Sequence, residues 1–254
     1  MGVRRRSVLA LAAAWLLVVP CGARADEVLV SAASSLTDAL QDVGKAYSAA
    51  HVGTTIRFNF AASGVLQKQI ENGAPVDVFA SASPKEMDAL QKAGKIDAAT
   101  RFDFAGNRLV LIVAAGSGIK TWADLTGPTI QHVAISEPAT VPSGRYAQET
   151  LTHRGLWTAL DPKLVRGSNV RQTLAYVADG NAEAGLVFAS DALVEKRVRV
   201  IATATPGVDH TPIVYPIAVV KGAPNPACAK GFAAYLKTDA ARKILAKYGF
   251  TGTL

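Results

Sequence analysis

The sequence predicts an α/β fold of two lobes, each a mostly parallel sheet flanked by helices, with a ligand cleft between the lobes. Three observations point there. Strand-like and helix-like segments alternate along the chain, which is the pattern of parallel sheets with crossover helices. The length of 254 residues suits two lobes better than one. Half of the residues are hydrophobic, enough for one large or two medium cores and too many for a disordered chain.

The elements follow in order. Glu27–Ala32 reads as a strand and Leu36–Ala50 as a helix. Thr55–Phe60 is a strand, 65–72 a helix, 76–80 a strand, and 84–93 a helix with Pro84 in its first turn. Residues 108–114 (RLVLIVA) form a buried strand, and 121–125 a short helix. A strand at 132–135 precedes helices at 144–154 and 169–179. Strands follow at 185–188, 198–201 and 213–220, the last interrupted by Pro216, and helices at 228–236 and 239–248 close the chain. Residues 26–107 with 214–254 are expected to make one lobe and 108–213 the other. The chain then crosses near Gly106-Asn107 and again before Pro216.

The N-terminus reads as an export signal over residues 1–25. Arg4, Arg5 and Arg6 are followed by an apolar run from Val8 to Val19 and by Ala23-Arg24-Ala25, with cleavage expected before Asp26. The run is short for a bilayer span, which needs roughly 20 residues. Arg5-Arg6 leaves twin-arginine export open. Cys21 sits where a lipoprotein cysteine would, but after Pro20. Cys21 departs with such a leader, so no intrachain disulfide is expected for Cys228, which reads as a buried structural thiol. The leader also holds four of the 27 basic residues and none of the 20 acidic ones, so the rest of the chain is near +3. That balance argues against a nucleic-acid partner. A soluble exported protein is expected.

No catalytic constellation is visible. His51, His132, His153 and His210 lack metal-ligand spacing, and there is no HExxH, CxxC, Walker loop, GxGxxG or GxSxG. Ser117-Gly118-Ile119-Lys120 spells SxxK without a KTG partner, and a turn explains it better. Asp38, Glu137 and Asp191 fall near predicted cleft loops, where capping and solvation account for them. An enzyme is not expected.

A small hydroxyl residue recurs where a strand gives way to a helix. Ser34-Ser35 follows the first strand, with Asp38 completing a capping-box spelling. Ser63 follows the second strand, Ser143 precedes a later helix, and Ser168-Asn169-Val170 another. Ordinary N-capping explains any one of them. Several together, at the sheet edge where α/β proteins bind ligands, point to a small anion held by helix N-termini and hydroxyls.

The segments AASSLTDALQDV (Ala32–Val43), FAASGVLQKQIENGAPVDVFASAS (Phe60–Ser83), AISEPATVPSGRYAQETL (Ala134–Leu151), NVRQTLAYV (Asn169–Val177), GLVFASDA (Gly185–Ala192), VYPIAVV (Val214–Val220) and KYGF (Lys247–Phe250) resemble the periplasmic molybdate-binding proteins of ABC importers, the ModA family. The resemblance implies the two-lobed periplasmic-binding-protein fold, type II. It implies molybdate or tungstate as ligand, an inner-membrane ABC permease as partner, a monomer and no cofactor. By motif, Ser35 and Ser63 would give hydroxyls and backbone N–H groups, and Ser143 and Val170 backbone N–H groups. The family often has a tyrosine hydroxyl on the oxyanion where this chain has Phe188, expected here as a pocket wall. Ser34, Ser143 or Tyr146 could replace that hydroxyl. Another oxyanion such as sulfate or phosphate, a periplasmic enzyme on the same fold, and a sensory domain are the competing readings.

Overall fold

A computed structural model describes residues 26–252. The leader over residues 1–25, with its arginines and Cys21, lies outside the described residues. Among those described, ten strands form two five-stranded sheets. The first contains β1 (Asp26–Ala33), β2 (Thr54–Ala61), β3 (Val78–Ala80), β4 (Phe102–Gly106) and β10 (Val214–Val219), in the order β2-β1-β3-β10-β4. The second contains β5 (Leu109–Ala114), β6 (Val133–Ser136), β7 (Leu164–Gly167), β8 (Ala184–Phe188) and β9 (Val198–Thr203), in the order β7-β6-β8-β5-β9. Both orders are one plan. β1 lies between β2 and β3 as β6 lies between β7 and β8, and the fourth place in each sheet belongs to the strand by which the chain enters from the other half, β10 and β5.

That arriving strand runs against its neighbours: β10 is antiparallel to β3 and β4, and β5 to β8 and β9. Direction of travel explains it. The parallel strands run toward the space between the sheets, so a chain that crosses there directly must enter the next sheet running away. The crossings are Asn107-Arg108, between β4 and β5, and residues 204–213, between β9 and β10.

Helices cover the sheets: α1 (Thr37–Ala50), α2 (Ser63–Glu71), α3 (Pro84–Lys92), α4 (Pro142–His153), α5 (Trp157–Leu160), α6 (Val170–Ala178), α7 (Ala189–Val194), α8 (Pro226–Tyr235) and α9 (Asp239–Lys247). In α1 the buried side is Ala39, Leu40, Val43 and Tyr47, the spacing of one helical face. One hydrophobic cluster spans both halves and includes Val30, Leu111, Phe188 and Tyr215. A smaller one, with Leu66, Phe79, Met87 and Leu90, lies under α2 and α3.

Several elements differ from the sequence reading. β4 and β7 are additional strands at sheet edges; β7 has four residues and exposes Arg166, so little hydrophobic pattern marks it. α5 and α7 are short helices beyond those expected. The helix expected at 121–125 is a 3-10 turn, Ala123–Thr126. β10 is continuous past Pro216, with a register shift between Tyr215 and Pro216 that accommodates the residue without an N–H. Cys228 is half-buried rather than buried, packed from α8 against the main core. No helix among the described residues is long and apolar enough to cross a membrane.

Candidate functional site

The carboxyl edges of the two sheets face one cavity. Ser34 and Ser35 reach it after β1, Ala62 and Ser63 after β2, and Ala82 after β3. From the other half come Val141 to Ser143 at the start of α4, Asn169 and Val170 at the start of α6, and Phe188 at the end of β8. Ser35, Ser63, Ser143, Val170 and Phe188, the five residues named from sequence, all line it. The space is tight, a cavity of about 10 Å³. The lining includes no charged side chain.

Helix starts leave N–H groups without intrahelical acceptors. Here the local sequence directs them inward. The residues before Ser34, Ser63 and Pro142 are Ala33, Ala62 and Val141, and none makes a side-chain cap. Before α6, Asn169 accepts from the N–H groups of Arg171 and Gln172 through Oδ1, which spares the Val170 N–H. In α4, Gly144 and Arg145 donate to the Val141 carbonyl, which spares the Ser143 N–H. Gly144 permits this seating, because a Cβ there would lie 2.2 Å from the Ser136 carbonyl oxygen. The capping box expected from Ser35 and Asp38 does not form. α1 begins after Leu36 without a side-chain cap, and Asp38 instead meets Arg171 at 2.7 Å.

The serine hydroxyls divide into two kinds. Ser63 Oγ accepts from the Ala82 N–H at 3.1 Å, so its own proton stays available. Ser35 Oγ lies 3.0 Å from Tyr215 Oη. Ser143 is different. Thr173 Oγ1 donates to the Asn169 carbonyl at 3.1 Å, Ser136 Oγ lies 2.8 Å from Thr173 Oγ1, and Ser143 Oγ lies 2.8 Å from Ser136 Oγ. With the Thr173 proton committed, Ser136 donates to Thr173 and Ser143 donates to Ser136. The Ser143 proton is thereby used inside its own half, and its N–H is what faces the cavity. Tyr146 is not in the lining; its ring packs against Phe188 with centroids 6.2 Å apart. Ser34 is, of the three candidates for a replacement hydroxyl, the one that lines the cavity without a hydroxyl chain drawing it away.

Charged groups close the halves around this neutral centre without entering it. Arg145 of α4 donates to Glu86 Oε1 at 2.7 Å and to Ser83 Oγ at 3.0 Å, across the gap. Arg171, next to Val170, joins Asp38 in the first half to Asp191 in the second. Burial pushes the Asp191 carboxyl up to about 6 against the pull of Arg171. The Gly64 N–H donates to the Thr140 carbonyl at 3.0 Å, also across the gap.

Potential acids and bases are engaged elsewhere. Asp38 and Asp191 belong to the Arg171 pairs, Glu137 accepts from the Ala139 N–H, and none lines the cavity. His51 stacks on Tyr47, His153 meets Asp209 at 3.2 Å, and His210 bonds the Thr211 carbonyl. Among the described residues no group of three or more His, Cys, Asp or Glu could hold a metal ion. Ser117 and Lys120 lie together in a turn, where the Ser117 hydroxyl caps the Ile119 N–H.

Sequence reasoning missed Asn107 and Tyr215, the buried polar pair behind Ser35. Their signal was weak, an Asn at a lobe crossing and a Tyr before a strand proline. It missed the cross-gap arginines Arg145 and Arg171 as well.

Comparison with known proteins places this geometry in a family. The sequence profile of the family described as bacterial extracellular solute-binding protein matches residues 28–251. The molybdate-binding protein ModA of Haemophilus influenzae is 40% identical over 230 residues, covering 89% of this chain and 90% of that protein. The molybdate-binding protein ModA of Escherichia coli is 40% identical over 249 residues, covering 94% and 95%. Among solved structures, the periplasmic molybdate-binding protein of Azotobacter vinelandii superposes with a TM-score of 0.81 at 26% identity, covering 89% of this chain and 100% of that one. The chain belongs to the bacterial extracellular solute-binding proteins and, among them, to the ModA family.

Proposed function

We propose that the protein captures molybdate, and tungstate with it, between its two halves and delivers the oxyanion to a membrane permease of the ABC type. It is a binding protein rather than an enzyme. The observation that carries this reading is the convergence of neutral donors, from both sheets, on one cavity that no charged side chain lines. Ser35 and Ser63 give hydroxyl protons and N–H groups, Ser143 and Val170 give N–H groups, and Phe188 closes one wall. Hydrogen bonds to a charged group contribute about 1.5–3 kcal/mol each. A handful supports micromolar affinity, near −8 kcal/mol, after desolvation and closure are subtracted.

The chemistry selects its guest. Every inward group donates, so a fully deprotonated oxyanion is favoured and a protonated phosphate finds no acceptor. Donors spaced around the larger tetrahedral anions, molybdate and tungstate, would reach the smaller sulfate less closely. Binding closes the lobes, residues 26–107 with 214–254 against 108–213, because donors from both halves meet only in the closed form. The closed surface is what the permease reads. The protein acts as a monomer in the periplasm, exported by its leader, and needs no cofactor.

Calorimetric titration of the exported protein with molybdate, tungstate, sulfate and phosphate tests this. The expected result is saturable heat with both metal oxyanions and a raised melting temperature through linkage. No heat and no thermal shift with either metal oxyanion, alongside tight sulfate binding, would overturn it.

A further inference from the structure

Behind Ser35 lies a hydrogen-bond chain whose direction is fixed at its far end. Asn107, at the first crossing between the halves, accepts from the Arg108 N–H through Oδ1 at 2.8 Å. That donor sets the amide orientation. The amide nitrogen therefore points the other way and donates twice, to Ser190 Oγ at 2.9 Å and to Tyr215 Oη at 3.2 Å. Tyr215 is fully buried, Ser35 is 2% exposed and Asn107 5%, so bulk water does not compete. Burial also drives the Tyr215 hydroxyl well above the ordinary tyrosine range, and it stays protonated. An amide NH₂ cannot accept, so within this chain the Tyr215 proton has one acceptor, Ser35 Oγ, 3.0 Å away. Ser35 then accepts from Tyr215, and its own proton is left for the cavity that it lines.

We propose that Tyr215 is a positioning residue for the oxyanion site, turning the Ser35 hydroxyl into an obligate donor through the Asn107–Tyr215–Ser35 chain. This rests on the anion-binding reading above. Tyr215 itself is not in the cavity lining. Its ring packs against Phe188, centroids 5.9 Å apart, so the wall residue without a hydroxyl is backed by a tyrosine that orders a hydroxyl beside it. Pre-ordering matters because a serine proton otherwise rotates freely, and fixing it on binding subtracts from affinity.

The test is a double-mutant cycle read by molybdate titration, with wild-type binding as the first arm. Wild-type failure to bind molybdate overturns the anion reading itself; the remaining arms address Tyr215. Tyr215→Phe keeps the ring and is expected to weaken binding about tenfold, the scale of one hydrogen bond to a charged group. In a Ser35→Ala background the same substitution is expected to change affinity less than about twofold, since Tyr215 acts through Ser35 alone. A merely structural role would weaken both backgrounds equally, and that result overturns the proposal, as does unchanged affinity in Tyr215→Phe. Should Tyr215→Phe fail to fold, 3-fluorotyrosine at position 215 keeps ring and hydroxyl while strengthening the O–H donor. Tighter binding in that protein supports the relay, and unchanged or weaker binding contradicts it.

Discussion

The two halves of this chain share a strand order but offer the cavity different chemistry. The first half presents hydroxyl protons: Ser63 is held as an acceptor by the Ala82 N–H, and Ser35 by Tyr215. The second half has as many hydroxyls nearby and presents none of those in its Ser143–Ser136–Thr173 chain, which ends on the Asn169 carbonyl. It contributes peptide N–H groups instead. A serine at a helix start therefore says little about what reaches a ligand. The partner behind the serine decides whether its proton faces inward or is consumed by the scaffold.

The largest effect separates contacts within a half from contacts between halves. A methyl at Gly144 would sit 2.2 Å from the Ser136 carbonyl oxygen of its own half. Gly144→Ala should lower folding stability by about 3 kcal/mol, the upper range for overpacking, in urea denaturation of the unliganded protein. A methyl at Gly64 would meet the Thr140 carbonyl oxygen of the opposite half at 2.6 Å. Gly64→Ala should leave unliganded stability nearly unchanged and weaken molybdate binding by about 2 kcal/mol, because the clash exists only when the halves are together. Equal stability losses in the two variants would show that the halves do not separate.

The next effect compares serines directly. Ser63→Ala should weaken molybdate binding by about 1–3 kcal/mol, the range for a hydrogen bond to a charged group. Ser143→Ala, which keeps the N–H and removes a proton already spent on Ser136, should change it by less than about 0.5 kcal/mol. Calorimetry on both variants checks the pair, and similar losses would erase the distinction between the halves.

Much of this was legible in the sequence. Strand and helix alternation marks most elements, and the helix starts that carry Ser35, Ser63, Ser143 and Val170 are a local pattern, whereas Phe188 is picked out only by the resemblance to the ModA family. Two things were not legible. Edge strands such as β7 are short and half-exposed, so neither alternation nor a buried run sets them apart. Side-chain partners at long range leave no local trace: Ser35 and Tyr215 are 180 residues apart in sequence, and Arg145 and Glu86 are 59 apart. For the same reason Ser35 with Asp38 reads as a capping box, although tertiary partners claim both side chains.

The smallest effect concerns pH. Asp191 titrates near 6 in the folded chain, above the ordinary value of about 3.9. Between those values the folded state holds a proton that the unfolded state has released. The Asp191 contribution to stability is therefore fully present below about pH 4 and lost as the pH rises through 6. Asp191→Asn, neutral throughout and still able to accept from Arg171, should not show that decline in urea denaturation between pH 4 and 7. Parallel pH profiles for the two proteins would remove Asp191 from this role.

The most direct measurement is a crystal structure of the protein with molybdate. The expected density is a tetrahedral anion between the halves, its oxygens within hydrogen-bond distance of the Ser35 and Ser63 hydroxyls and of the Ser143 and Val170 N–H groups. Arg145 and Arg171 should remain on Glu86, Asp38 and Asp191. An anion bound by either arginine, or seated outside this cavity, would contradict a neutral donor cage.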